Sequence, residues 1–301
     1  MRKTQILAIV FAVVLGGAIA AAAQEQPKQP TPKAPEGLKV LRDLEYVKGG
    51  HERNRLDLYL PEKASKGRLP VVVWIHGGAW YAGSKNDPFP AVPLTAKGYA
   101  VASMSYRLSQ HGVFPAQIED CKAAIRWLRA NADKYHLDPD HIGVWGASAG
   151  GHLVALLGTT AGVKEFEGRG GNLDQSSRVQ CVLDWFGPTE LTTMGVEGDP
   201  PGSPVALLIG GPAQQNKEKA RKASPLTYVD KNAAPFLIMH GDKDDIVPLR
   251  QSQLLAEALK KAGVEVTLQV VKGNGHVGPG FTSPENQKLI EAFFAKHLKK
   301  K

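Results

Sequence analysis

Cysteine is scarce in this chain: Cys121 and Cys181 are the only two in 301 residues. Two thiols allow at most one disulfide, and neither stands at zinc-site spacing from a histidine. Cys121 falls in a helical pattern and Cys181 in a strand pattern. The sequence leaves open whether they pair, which an exported protein permits, or stay as two separate buried thiols. Beyond residue 23 no apolar stretch is long enough to span a bilayer, so no stable membrane span is expected in the mature chain. No internal repeat recurs, which argues against a solenoid.

Present at the amino terminus is a targeting pattern. Arg2 and Lys3 precede the apolar run TQILAIVFAVVLGGAIAAAAQ, with Ala21 and Ala23 at the positions a signal peptidase reads. An uncleaved anchor is the other reading, but the alanine-rich end favours cleavage. The chain therefore divides into a signal peptide over 1–23, a flexible polar leader over 24–36 and one domain over 37–301, with export to the periplasm or beyond as the expectation. Roughly 280 residues remain, enough for one large core. The formal charge of +8 suggests a nucleic-acid partner only until it is located. Two of the charges leave with Arg2 and Lys3, and Lys296, Lys299, Lys300 and Lys301 sit at one helix end, where cations suit the helix dipole. No nucleic-acid partner is expected.

Strand-like and helix-like runs alternate. LPVVVWIHGG, GYAVASMSYR, HIGVWGAS, RVQCVLDWFG, APFLIMHGD and EVTLQVVKG read as strands. PAQIEDCKAAIRWLRANADKYH, GHLVALLGTT, LRQSQLLAEALKKAG and PENQKLIEAFFAKHLKK read as helices, the third stopped at Gly263. Near-continuous apolar strands separated by amphipathic helices predict an α/β fold, a mainly parallel sheet covered on both faces. LEYVKG and NRLDLYLP, more amphipathic, predict an antiparallel edge. The Gly- and Pro-rich stretch from Gly187 to Ser224 breaks the rhythm and predicts a small insertion over the carboxyl edge of the sheet.

GVWGASAGGHL supplies the chemistry. A strand, a tight G-x-S-x-G turn and a helix make a nucleophile elbow, with Ser148 at the strained position and Gly146 and Gly150 letting strand and helix approach. A serine needs a base, and the base an orienting acid, in the order serine, acid, histidine. FLIMHGDKDDIVP offers Asp242, Asp244 and Asp245. Of the nine histidines, only His240, His276 and His297 follow the elbow's helix. His240 closes an apolar strand and reads as a packed structural residue. His297 lies in the basic terminal helix and reads as solvated. His276, in a glycine-rich loop directly after a strand, is the expected base. WIHGGAWYAG matches the HGGG-type loop that donates backbone N–H groups to a developing oxyanion, with His76 a loop brace. Trp80, Tyr81 and Trp185 either wall a substrate pocket or are packing aromatics.

HGGAW, YRL…FPAQIEDCKAAIRWLRANA, GASAGGHL, DWFGPTEL, ASPLTYV, HGDKDDIVP and GNGHVG occur in order from about residue 37 to the end. Together they resemble α/β-hydrolases of the esterase/lipase type, and more narrowly the exported carboxylesterases grouped with acetyl xylan and feruloyl esterases in the hormone-sensitive-lipase-like branch. The resemblance implies Ser148 as nucleophile, Asp244 as acid through HG-x-x-D-x-x-V-P, and His276 as base. It leaves Asp245 facing away, binding turn amides, and Asp242 as a turn residue. It further implies oxyanion donors at the N–H groups of Gly78, Ala79 and Ala149, with Ala79 departing from the glycine many relatives carry. No metal or organic cofactor is implied, and the substrate is a small-molecule or polysaccharide-linked ester. HGDKDDIVP also resembles exported peptidases of the prolyl oligopeptidase type, which carry a large β-propeller for which this chain has no room. A non-catalytic member of the fold would lack part of the triad or of the glycine loop, and here all parts are present.

Overall fold

The computed structural model describes residues 36–63, 67–88, 90–194 and 200–299. The expected signal peptide, the leader up to residue 35 and the last two lysines lie outside the described residues. The strands are β1 (Leu38–Glu45), β2 (Arg55–Pro61), β3 (Leu69–Ile75), β4 (Ala100–Met104), β5 (Leu137–Ala147), β6 (Cys181–Trp185), β7 (Phe236–Gly241) and β8 (Val266–Val271). The α-helices are α1 (Ala116–Ala130), α2 (Ala132–Tyr135), α3 (Ala149–Thr159), α4 (Pro204–Ile209), α5 (Lys217–Ala223), α6 (Arg250–Lys261) and α7 (Pro284–Leu298).

One sheet of eight strands runs in the order β1-β2-β4-β3-β5-β6-β7-β8. The pairs β1–β2 and β2–β4 are antiparallel and the rest parallel; NRLDLYLP supplies β2 as expected, whereas the first edge strand lies earlier than LEYVKG, over Leu38–Glu45, and holds only Leu44 and Glu45 of that run. The alternation within β3 shows why both faces must be covered. Val71, Val73 and Ile75 enter one core with residues of α1, α3 and α6. Val72 and Trp74 enter a second core, on the opposite face, with Ile290, Phe293 and Phe294 of α7. This is the α/β-hydrolase arrangement. The single helix expected before β5 is broken at Asn131. Its backbone leaves the helical region there, at φ −103° and ψ 14°, and its side-chain amide joins its own N–H on the Trp127 carbonyl, at 2.9 and 3.0 Å, before the short α2. Cys121 and Cys181 are free, buried thiols on α1 and β6.

The insertion carries α4 and α5. The Phe114 N–H donates to the Leu208 carbonyl at 2.8 Å, so α4 lies against the loop that leaves the carboxyl end of β4. α1 presents two cations that are almost fully buried. Lys122 Nζ donates to Glu167 Oε1 at 2.8 Å and to the Thr160 carbonyl at 2.7 Å, and Arg126 pairs with the same Glu167. Glu167→Ala strands two charges out of water. We expect it to cost about 3 kcal/mol, lowering Tm by roughly 6–12 °C. A thermal melt checks this, and a loss below about 1 kcal/mol would mean that the cations find other partners.

Candidate active site

β5 ends at Ala147 and α3 begins at Ala149, which leaves Ser148 to make the whole turn. Its φ of 56° and ψ of −120° lie where only a braced residue is held. The braces are backbone hydrogen bonds: Ser148 N–H donates to the Trp185 carbonyl at 2.8 Å, and the Ser148 carbonyl accepts from His152 N–H at 2.9 Å. The glycines are there for contact distance. A Cβ on Gly146 would stand 2.3 Å from the Gly150 carbonyl oxygen, and one on Gly150 would stand 2.0 Å from that of Ile75. Both obstacles are backbone and cannot yield.

Above this turn His276 Nε2 lies 3.0 Å from Ser148 Oγ, and His276 Nδ1 lies 2.8 Å from Asp244 Oδ2. A carboxylate only accepts, so Nδ1 carries the proton and Nε2 is left to accept from the serine hydroxyl. The imidazole packs on Phe186, with ring centroids 4.6 Å apart. The loops bearing His276 and Asp244 touch: the Lys243 N–H donates to the Asn274 carbonyl at 3.0 Å, and a Cβ on Gly241 would stand 2.3 Å from the carbonyls of Asn274 and Gly275. Asn274 holds its own loop, accepting from Gly280 N–H at 3.1 Å. Burial pushes the Asp244 carboxyl up, but hydrogen bonds from His240, His276 and the amides of Val247 and Ile246 outweigh it. The group is held well below the usual carboxylate range. Asp184, at the end of β6, goes the other way. Burial raises it to about 6, against one amide bond from Gly187 and the nearby His240.

The glycine loop after β3 folds back beside the serine. Gly77 lies against Ala147 and Ser148, where a Cβ would meet the Ala147 carbonyl at 2.9 Å. Gly78 has φ 103°, Ala79 51° and Trp80 62°, three successive left-handed residues. Among the described residues, no hydrogen bond engages the N–H groups of Gly78, Ala79 or Ala149. His76 does brace this loop. Its Nδ1–H donates to the Gly77 carbonyl at 2.7 Å, its ring stacks on Tyr106 at 4.3 Å, and burial lowers it to about 4. Arg53, between β1 and β2, donates to the Gly83 and Tyr106 carbonyls at 2.7 Å each and faces His76 Nε2 at 3.4 Å. Ala79→Gly relieves a left-handed alanine, so we expect Tm to hold or rise by up to about 4 °C. A fall of more than about 2 °C would show that the methyl group packs usefully.

The three aromatics named from the sequence separate. Trp80 and Trp185 are interior side chains. The Trp80 indole N–H donates to His152 Nδ1 at 3.1 Å, and Trp185 lies among Trp74, Trp145 and Phe281 with its N–H on Met239 Sδ. Each indole is drawn inward by a buried partner, so neither forms an open pocket wall. Tyr81, 46% exposed, is the one that reaches solvent. One acid-loop expectation also changes. The turn amides of Ile246 and Val247 donate to Asp244 Oδ1 at 2.9 Å each, so Asp244 rather than Asp245 binds them. Asp242 is a turn residue as expected, and its carboxylate accepts from Gly273 N–H. His297 is not solvated: it packs on Phe293 at 4.9 Å and faces Glu265. Arg53, His152 and Phe186 went unnoticed in the sequence, where no local pattern marks them.

Comparison with known proteins gives three kinds of likeness. The family described as BD-FAE matches residues 56–259. "Esterase LipQ" of Mycobacterium tuberculosis (strain ATCC 25618 / H37Rv) is 32% identical over 240 residues, covering 78% of this chain and 56% of that relative. The chain thus spans little more than half the length of the curated relatives it matches. Among solved structures, "Truncated form of carbohydrate esterase from gut microbiota" is similar at 35% identity with a TM-score of 0.81, covering 89% of this chain and 99% of that one. An "acetyl ester-xyloside bifunctional hydrolase from Caldicellulosiruptor lactoaceticus" is similar at 29% identity and TM-score 0.68, covering 80% and 87%.

Proposed function

The chain belongs to the BD-FAE family of the α/β-hydrolase fold, and from that premise we propose that it is a serine carboxylic ester hydrolase. Its substrates in this reading are short acyl esters, with acetyl or feruloyl groups on plant polysaccharide as the class. The observation that carries the reading is the chain of contacts from Ser148 Oγ through His276 to Asp244, at 3.0 and 2.8 Å, beside unengaged amides on the glycine loop.

The reaction is two-step acyl transfer. His276 Nε2 takes the Ser148 proton as the oxygen attacks the ester carbonyl, and Asp244 stabilises the imidazolium that results. The N–H groups of Gly78, Ala79 and Ala149 hold the oxyanion, the last with help from the amino-terminal dipole of α3. His276 then protonates the leaving alcohol, and water repeats the cycle on the acyl-enzyme. The names of the carbohydrate-esterase relatives support a sugar-linked alcohol, and the amino-terminal Arg2-Lys3 and apolar run support export as the setting.

The test is a panel: p-nitrophenyl esters of increasing acyl length, short peptides, and acetylated and feruloylated xylan fragments. Short acyl esters should turn over, with preference for a xylan fragment over p-nitrophenyl acetate in kcat/KM. Peptide hydrolysis without ester hydrolysis would move the assignment to the peptidases, and inactivity across the panel would remove it.

A further inference from the structure

The acid is held by two histidines. β7 ends in His240 and Gly241, and Asp244 follows three residues later. His240 is fully buried, and its Nε2 stands 2.8 Å from the Val247 carbonyl and 3.1 Å from Asp244 Oδ2. Its Nδ1 stands 2.7 Å from Ser252 Oγ on α6. Two oxygens that only accept face Nε2, so that nitrogen carries a proton whichever charge state the ring adopts. Asp244, whose side chain is also fully buried, thus faces four N–H groups. Oδ1 takes the two turn amides, Oδ2 takes the His276 imidazole N–H, and the His240 Nε2–H is shared between Oδ2 and the closer Val247 carbonyl. The chemistry uses only the first imidazole.

We infer that His240, tethered by Ser252, is a positioning residue that shares Asp244 Oδ2 with His276 and thereby sets how strongly the acid holds the His276 imidazolium. The inference rests on the reading of Ser148, His276 and Asp244 as a catalytic unit. With Oδ1 committed to the turn, the second imidazole on Oδ2 fixes the carboxylate plane and draws charge from the oxygen that faces His276. Removing it concentrates that charge on the His276 contact. The imidazolium is then favoured, and the base becomes free only at higher pH. The sign is the same whether His240 is neutral or charged, because either form withdraws negative charge from Oδ2. The titratable groups that face His240 are Asp244, His276 through that carboxylate, and Asp184 from the end of β6. Lys243 and Asp245, on the same loop, are exposed.

The test is the pH dependence of kcat/KM on p-nitrophenyl acetate for the full chain and its variants. His240→Leu should move the acid limb to higher pH by about 0.5–1 unit and lower the plateau about tenfold. His240→Gln, which restores an N–H near the same place, should return the limb toward the wild-type position. Ser252→Ala frees the ring to swing and should move the limb the same way by less. A merely structural histidine would lower the amount of folded protein and leave the limb in place. Because burial raises Asp184 to about 6, the His240→Leu shift must persist in an Asp184→Asn background; its disappearance there would overturn the inference. An unmoved limb in folded His240→Leu would overturn it too, as would an unmoved limb in Ser252→Ala should the leucine variant not fold. An inactive wild-type chain removes the catalytic reading and this inference with it, whereas an active one with an unmoved limb removes the inference alone.

Discussion

Ser148→Ala should lower kcat/KM on p-nitrophenyl acetate by about 10⁴-fold or more while leaving Tm within about 2 °C of the parent. The first half follows because, among the described residues, no other nucleophile stands near His276 Nε2: the imidazole's two nitrogens face Ser148 Oγ and Asp244 Oδ2. What remains is catalysis by the unengaged amides and by substrate binding, which such sites retain after loss of the nucleophile. The second half follows from what holds the turn. The positive φ at residue 148 is fixed by backbone bonds to Trp185 and His152, and alanine occupies that conformation at much the same cost as serine. Steady-state rates beside a circular-dichroism melt check both halves. Retained turnover would move the nucleophile elsewhere, and a collapsed melt would mean that the hydroxyl is structural.

Asp244→Asn should cost about 10³–10⁴-fold in kcat, and Asp245→Asn no more than about twofold. The asymmetry comes from counting donors. The side-chain amide that Asp244→Asn introduces has one acceptor oxygen, and the N–H groups of Ile246 and Val247 already claim that position. Its NH₂ group then faces the N–H groups of both His276 and His240. Relieving the clash at His276 moves the proton to Nε2, where it opposes the serine and cannot accept from it. Asp245 is exposed and takes no part in the contact chain. Stability shifts in a defined window as well. The folded Asp244 carboxyl lies below its ordinary value of 3.8, so its contribution is present above that value and is lost as pH falls through the lower folded one. The variant should therefore be less stable than the parent at neutral pH, with the gap closing in strong acid. The reverse ranking, with Asp245→Asn the more damaging, would move the acid by one residue.

Most of the fold was legible because its signals are local. Apolar β3, β5, β6 and β7 announce a sheet covered on both faces. G-A-S-A-G between strand and helix announces the turn, since only glycine, as at Gly150, tolerates a carbonyl 2.0 Å from a would-be Cβ. The chain order of serine, acid and histidine then limits the partners to a few residues. What residue order leaves open or misdirects depends on direction rather than position. Asp244 and Asp245 are adjacent, and which of them accepts the turn amides is a matter of where the loop backbone points. Trp80 and Trp185 follow loop and strand ends near the site, but their indoles turn inward to His152 and Met239.

Residue order alone was enough for an α/β sheet, a serine at a crowded strand-to-helix turn, a histidine placed last and a glycine loop placed first, because steric demands and periodicity act between near neighbours. Three-dimensional packing was needed for the rest. It made Asp244 serve two imidazoles, brought Arg53 from the β1–β2 connection to hold the loop around His76 and Gly83, and let His152 tie Trp80 to the Ala223 carbonyl at the end of α5. Those contacts join residues separated in some cases by tens of positions. Hydrogen bonds between such distant groups need only geometry, and geometry at that range leaves no trace in residue spacing.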